Sequence, residues 1–289
     1  MLRAARVHLA ALAPGSLPAE AIAARAVACL RREVATHPKP GLVSHVDSGA
    51  HADMDAALLN RSADTLEPYF ADLAEAGGRG AGMDTLRAIG IAAEAAMLAS
   101  TGGVNTHRGA IFGLGLLAAA AGFRTAGFRD THGGSRSLGR LVADLWGPAI
   151  AAGPIPLHSH GAAAARRYGA GGARLEAMRG FPTLYGLALP ALSAAEALRP
   201  DHPEAVRVQL CLALIAGVED TNLLHRGGPA GLAFAQGAAR AFLDDGGIGH
   251  PDWRARAQAL HAAFVARNLS PGGCADLLAM TLFLAEVGP

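Results

Sequence analysis

No stretch of this 289-residue chain alternates β-branched and polar residues over the length of a strand. Instead, Ala- and Leu-rich segments near 19–35, 53–75, 84–99, 106–121, 137–151, 184–198, 203–224, 230–243, 252–268 and 273–286 are long enough for helices, with Gly, Pro or Asp between them. The pattern predicts an all-α fold, a single compact multi-helix domain over residues 1–289 without repeats. A composition of 51% hydrophobic and 17% charged residues requires much of the helical surface to be buried. One region departs from the pattern. Residues 153–183 are rich in Gly, Ala and Arg and read as a Gly/Arg-rich loop or a short irregular layer.

A net charge of +1 with no long run of like charge argues against non-specific nucleic-acid binding, while leaving room for local basic pockets. The longest uncharged apolar run, residues 110–123, is too short to span a bilayer and reads as a core helix. Cys29, Cys211 and Cys274 are odd in number and far apart, which argues against a disulfide framework or a zinc site and suits a reducing cytoplasm. The basic and then apolar opening, MLRAARVHLAALAPG, is broken by His8 and lacks a clear cleavage site, so it is not expected to be a signal peptide.

Four segments carry candidate chemistry. The first, HPKPGLVSHVDSGAHADMD at 37–55, contains Lys39, the sole lysine among 25 basic residues. A compact ammonium held between two prolines, with three His and three Asp around it, suits a site better than a connector. Drift towards Arg codons is the plainer explanation. A helix is expected to begin near Asp53, with Asp53 as its N-cap and Asp55 in its first turn; His51 and Asp47 supply more polar groups than capping needs.

The second segment is STGGVNTHRGAIFGLGLL at 100–117, where Asn105 or Thr106 can cap a long apolar helix. Its first N–H groups, with His107 and Arg108, form either an anion site or an ordinary helix start; the sequence is not a Walker A motif. Just upstream, Glu94 is the only charge between Ala88 and Ser100, and is either solvent-facing or a buried acid aimed at a site. The third is VEDTNLLHRGG at 218–228. A continuous helix there would put Glu219, Asn222 and Arg226 on one face and Asp220 to its side, as a binding stripe or an intrahelical ion pair. The fourth, HSHGAAAARRYGAGGAR at 158–174, has four Gly and three Arg, able to wrap a polyanion or simply be solvated.

Taken together, EVATHPKPGLVSHVDSGAHADMD, GGVNTHRGAIF, the HG with YGAGGARLEAMRGFP, DTNLLHRGG and PGGCADLLA resemble the triphosphoribosyl-dephospho-CoA synthase family. Several long motifs in one order make the resemblance specific, and it covers most of the chain. The wording of the first segment and of the HSHG loop is most similar to the malonate decarboxylase-associated type, as opposed to that of citrate lyase. Arg108 departs from the Lys that many relatives carry after NTH, which keeps the charge and changes its geometry.

The resemblance implies transfer of the 5-triphosphoribosyl group of ATP to the 2′-hydroxyl of 3′-dephospho-CoA, with release of adenine. The product would pass to a transferase acting on an acyl carrier protein subunit, with no nucleic acid or membrane as partner. It implies Mg²⁺ on hard oxygen ligands, with Asp53, Asp55 and Asp220 as the candidates. Lys39, Asn105, Thr106, Arg108, Arg174, Asn222 and Arg226 are the expected substrate-binding residues. His51, Asp53, Glu94 and His107 are the expected catalytic residues, His51 or His107 serving as the acid that protonates adenine. Two other readings stand beside it: a Mg²⁺-dependent hydrolase of an ADP-ribosyl or nucleotide substrate, and a non-catalytic carrier or chaperone for a decarboxylase subunit.

Overall fold

A computed structural model describes residues 17–127, 136–154, 164 and 166–289. The N-terminal segment, the HSHG loop and most of the Gly/Arg-rich stretch up to 165 lie outside those residues. The described chain is helical with no strand, as its Ala- and Leu-rich segments predict. Its α-helices are α1 (Ala19–Ala35), α2 (Ala56–Gly78), α3 (Met83–Ser100), α4 (Arg108–Thr125), α5 (Leu138–Ala152) and α6 (Gly172–Met178). A π-helical turn, Leu184–Ala188, leads into α7 (Leu189–Leu198), followed by α8 (Pro203–Gly217), α9 (Thr221–Asp244), α10 (Trp253–Val265) and α11 (Gly272–Val287).

Two helices form the centre. α4 buries every residue from Gly113 to Gly122, and α11 buries every residue from Leu277 to Leu284. A helix apolar on all sides must be surrounded, and α1, α2, α5 and α8 supply the surrounding faces. Small residues set how closely they pack. A Cβ on Gly77 would stand 1.9 Å from the carbonyl oxygen of Ala119, and one on Gly122 1.9 Å from that of Ala74. The backbones of α2 and α4 therefore touch, which only glycine permits. One continuous core draws residues from α1 through α11.

Three expectations change at helix ends. The segment 203–224 is not one helix: α8 stops at Gly217, and α9 begins afresh at Thr221 with Asp220 as its N-cap. Glu219 thus precedes the helix and shares no helical face with Asn222 and Arg226. The helix expected from Asp53 begins instead at Ala56, and Asp55 is the N-cap, its Oδ1 accepting from Leu58 N at 2.8 Å. α9 also bends at Gly228, whose φ of 61° only glycine adopts freely, just ahead of Pro229.

Candidate active site

The N-terminal turns of α4, α9 and α11 meet around a group of buried ionisable side chains. Each turn presents N–H groups without intrahelical partners, and carboxylates satisfy some of them. Asp220, 1% exposed, caps its own helix through Asn222 N at 2.7 Å and Leu223 N at 3.1 Å. Its other oxygen accepts from Cys274 N in α11 at 2.8 Å. One carboxylate thereby clasps two helix starts, and Gly273 leaves the room it needs. Burial raises the Asp220 carboxyl above its usual range, and the three N–H donors oppose that rise.

Asp276, one turn into α11, does the equivalent at α4. Its Oδ2 lies 1.9 Å from where a Cβ on Gly109 would be, and it accepts a hydrogen bond from the backbone of Ala110. Burial pushes the Asp276 carboxyl well above the usual carboxylate range, and the charges of Glu33 and Asp220 push the same way. Glu33, at the end of α1, is buried and raised by burial, with Lys39 pulling against it. Lys39 is fully buried: its ammonium pairs with Glu33 Oε1 and donates to the Glu33 carbonyl at 2.5 Å. The lysine expected to bind substrate is thus an interior cation committed to Glu33.

Around the start of α4, several expected residues do converge. Asn105 Oδ1 accepts from Arg108 N at 3.2 Å, so Asn105 provides the cap while His107 occupies the N-cap position. Thr106 Oγ1 is 2.7 Å from Ser62 Oγ, which is 2.8 Å from His107 Nδ1. His107 is 4% exposed, and its Nε2 has no hydrogen-bond partner among the described residues. Burial, then the Lys39 charge, lowers the His107 pKa to about 4. Glu94 is half-buried and pairs with Arg108, whose Nε lacks a partner among the described residues.

A second group stands beside the first. Arg226 donates to Ala50 O at 2.8 Å and to Asn268 Oδ1 at 2.7 Å, and its other amino group reaches His51 Nδ1 at 3.2 Å. His51 Nε2 is 2.8 Å from Ser270 Oγ, and because Arg226 can only donate to Nδ1, that contact favours the ring proton on Nε2. Burial and then Arg226 lower the His51 pKa, with Asp53, 3.5 Å away, acting in the opposite sense. Both imidazoles expected as acids are therefore held neutral at pH 7, each offering one N–H and one lone pair instead of an acidic proton. Asn222 packs against Gly272 at the start of α11. Arg174 belongs elsewhere: it donates to the carbonyls of Ala151, Gly153 and Pro154, closing the end of α5.

The three carboxylates expected to hold Mg²⁺ do not form a set. Asp53 is an exposed side chain beside His51, Asp55 caps α2, and Asp220 is enclosed by three N–H groups. Among the described residues no three His, Cys, Asp or Glu side chains are gathered to hold a metal ion. The cysteines are free and buried, with the Cys29 and Cys211 thiols pushed up to about 12 and Cys274 also raised, so none is a nucleophile.

Sequence reasoning missed Glu33, Ser62, Ser270 and Asp276. Glu33 sits in an Arg-rich helix end where a surface charge is the natural reading. Asp276 did leave a signal, as the lone charge in the apolar stretch 273–285.

The family model described as "CitG: ATP:dephospho-CoA triphosphoribosyl transferase" matches residues 19–289. A "Probable 2-(5''-triphosphoribosyl)-3'-dephosphocoenzyme-A synthase" of Stutzerimonas stutzeri (strain A1501) is 42% identical over 277 residues, 94% of this chain and 93% of the relative. A protein of the same probable description from Pseudomonas putida is 42% identical over 275 residues, 93% of this chain and 95% of its own. The "2-(5''-triphosphoribosyl)-3'-dephosphocoenzyme-A synthase" of Klebsiella pneumoniae is 40% identical over 276 residues, 92% and 94% of the two chains. No solved structure matches. No helix among the described residues is long and apolar enough to cross a membrane.

Proposed function

Because the chain belongs to the CitG family of ATP:dephospho-CoA triphosphoribosyl transferases, we propose that it transfers the 5-triphosphoribosyl group of ATP to the 2′-hydroxyl of 3′-dephospho-CoA and releases adenine. The observation that carries this reading is the family match from residue 19 to the last residue, across every helix that builds the buried polar centre. The chemistry of that centre fits the demand. A triphosphate needs aimed donors, and Arg108 at the start of α4, its Nε without a partner among the described residues, offers one. Asn105 and Thr106 order that turn, and Arg226 orders the loop bearing His51 and Asp53.

Asn222, beside the start of α11, completes the polar lining, and Glu94 fixes Arg108. Mg²⁺ is expected to arrive bound to the triphosphate, as a dication that keeps most of its water and needs few protein ligands. The wording of the first motif supports the malonate decarboxylase-associated type, whose product a transferase would load onto an acyl carrier protein subunit. The test is chromatography of ATP and 3′-dephospho-CoA incubated with the protein and Mg²⁺. Adenine and the ribosylated acceptor should form together, and only when both substrates are present. Free ribose triphosphate without acceptor would make the protein a hydrolase, and no turnover would make it a carrier.

A further inference from the structure

Of the three carboxylates that share the buried centre, Asp276 is the one with neither an ion-pair partner nor more than one N–H donor among the described residues. Glu33 is paired with Lys39, and Asp220 is 1% exposed with three N–H donors on its oxygens. Asp276 is half-buried as a residue with its carboxyl turned inward, and that carboxyl meets one N–H, that of Ala110. Its place is set by glycine: any side chain at residue 109 would displace Oδ2. The same first turn of α4 carries His107, 4% exposed, with Nε2 lacking a partner among the described residues, and Arg108, whose Nε lacks one too. Buried polar atoms are nearly always satisfied in a folded protein, so unmet groups on the helix turn that meets a carboxylate with a single donor mark a place where a polar ligand belongs.

We propose that Asp276 is the catalytic base that takes the proton from the acceptor 2′-hydroxyl. The assignment rests on the transferase reading above. The hydroxyl oxygen bonds to the ribose carbon as the bond from that carbon to the adenine nitrogen breaks, and the bonding pair leaves with adenine. The hydroxyl proton passes to Asp276 and then to solvent, while adenine takes a proton from water, so no other reactant is needed. A carboxyl held above its ordinary range by burial, Glu33 and Asp220 is, once ionised, a stronger base than a free one. Neutral His107 then serves as a hydrogen-bonding partner for the substrate.

The rival reading is that Asp276 only caps α4, and asparagine separates the two, because its carbonyl accepts the Ala110 N–H as well but takes no proton. In the Asp276→Asn variant kcat should fall more than about 100-fold with unfolding temperature and ATP binding little changed. The acidic limb of the wild-type kcat/KM profile should be missing from its residual activity. Formate should restore turnover to Asp276→Ala, and more basic carboxylates should restore it better. Asp276→Asn retaining more than a tenth of wild-type kcat, or keeping the acidic limb, would overturn the assignment. So would loss of helical circular dichroism in both variants, which would make Asp276 a structural cap. A wild-type protein that makes no ribosylated acceptor would instead defeat the transferase reading.

Discussion

Replacing Lys39 with Met should unfold this protein more readily, and the structure gives the size of the effect. Lys39 is 0% exposed and Glu33 7% exposed, so their ion pair is shielded from water. Methionine has nearly the length and volume of the lysine stem, so the packing loss stays below about 1.5 kcal/mol. The Glu33 carbonyl also keeps its bond from Thr36 N at 3.1 Å. What the substitution strands is the Glu33 carboxylate, and breaking a buried pair from one side costs about 3–5 kcal/mol.

The cost must depend on pH. Burial already raises the Glu33 carboxyl, and Lys39 is the charge that opposes the rise. Without Lys39 the carboxyl rises further, and a group whose folded pKa is raised favours the fold at low pH and loses that contribution as pH increases. Urea unfolding of Lys39→Met, followed by circular dichroism, should therefore show the full loss near pH 8 and a smaller one near pH 5. Adding Glu33→Gln should recover most of it, since an amide tolerates burial far better than an unpaired carboxylate. A single variant within about 1 kcal/mol of wild type at pH 8, or no recovery in the double variant, would refute the argument.

Asp220→Asn should destabilise by about 2–3 kcal/mol, because an amide N–H₂ must then face the Cys274 N–H or the two N–H groups of α9. Asp55→Asn, at an ordinary N-cap, should stay within about 0.5 kcal/mol, and equal denaturation midpoints for the two variants would deny Asp220 its double role. The His107 pKa lies near 4 in the fold, below its ordinary 6.5, so its contribution is complete above pH 6.5 and fades as pH falls towards 4. The stability gap between wild type and His107→Asn should shift by about 3 kcal/mol against wild type between pH 7 and pH 4, and a gap that does not move would contradict the burial of His107.

Helices were legible in the sequence because their signals are local: apolar content, length and the Gly, Pro or Asp between them. The places where the reading failed share one cause. Asp220 looks like a mid-helix carboxylate beside Glu219 until α9 is seen to start there, and capping is a property of backbone geometry that composition does not encode. The uniqueness of Lys39 drew attention to a real feature, a cation that could not be replaced by the larger guanidinium without enlarging a closed space. What the sequence concealed was the partner, since Glu33 lies in RREV, where every neighbouring charge is exposed or half-exposed.

The candidate site was legible as segments and illegible as roles for the same reason. Motifs 37–55, 100–117, 218–228 and the PGGCADLLA run do meet at the helix starts, yet which carboxylate is a cap and which keeps lone pairs free depends on where the N–H groups of other helices fall. Asp220 meets Cys274, Asp276 meets Ala110, and Asp55 meets only its own helix. Three aspartates of one chemical type thus acquire three different environments from partners up to 166 residues away in sequence, Ala110 and Asp276 being the most distant pair. A carboxylate clasped by donors from two helices is architecture; one in the buried centre with a single donor keeps lone pairs for a proton. That difference, set by tertiary packing alone, is what assigns the base to a residue that its sequence surroundings mark only as an isolated charge.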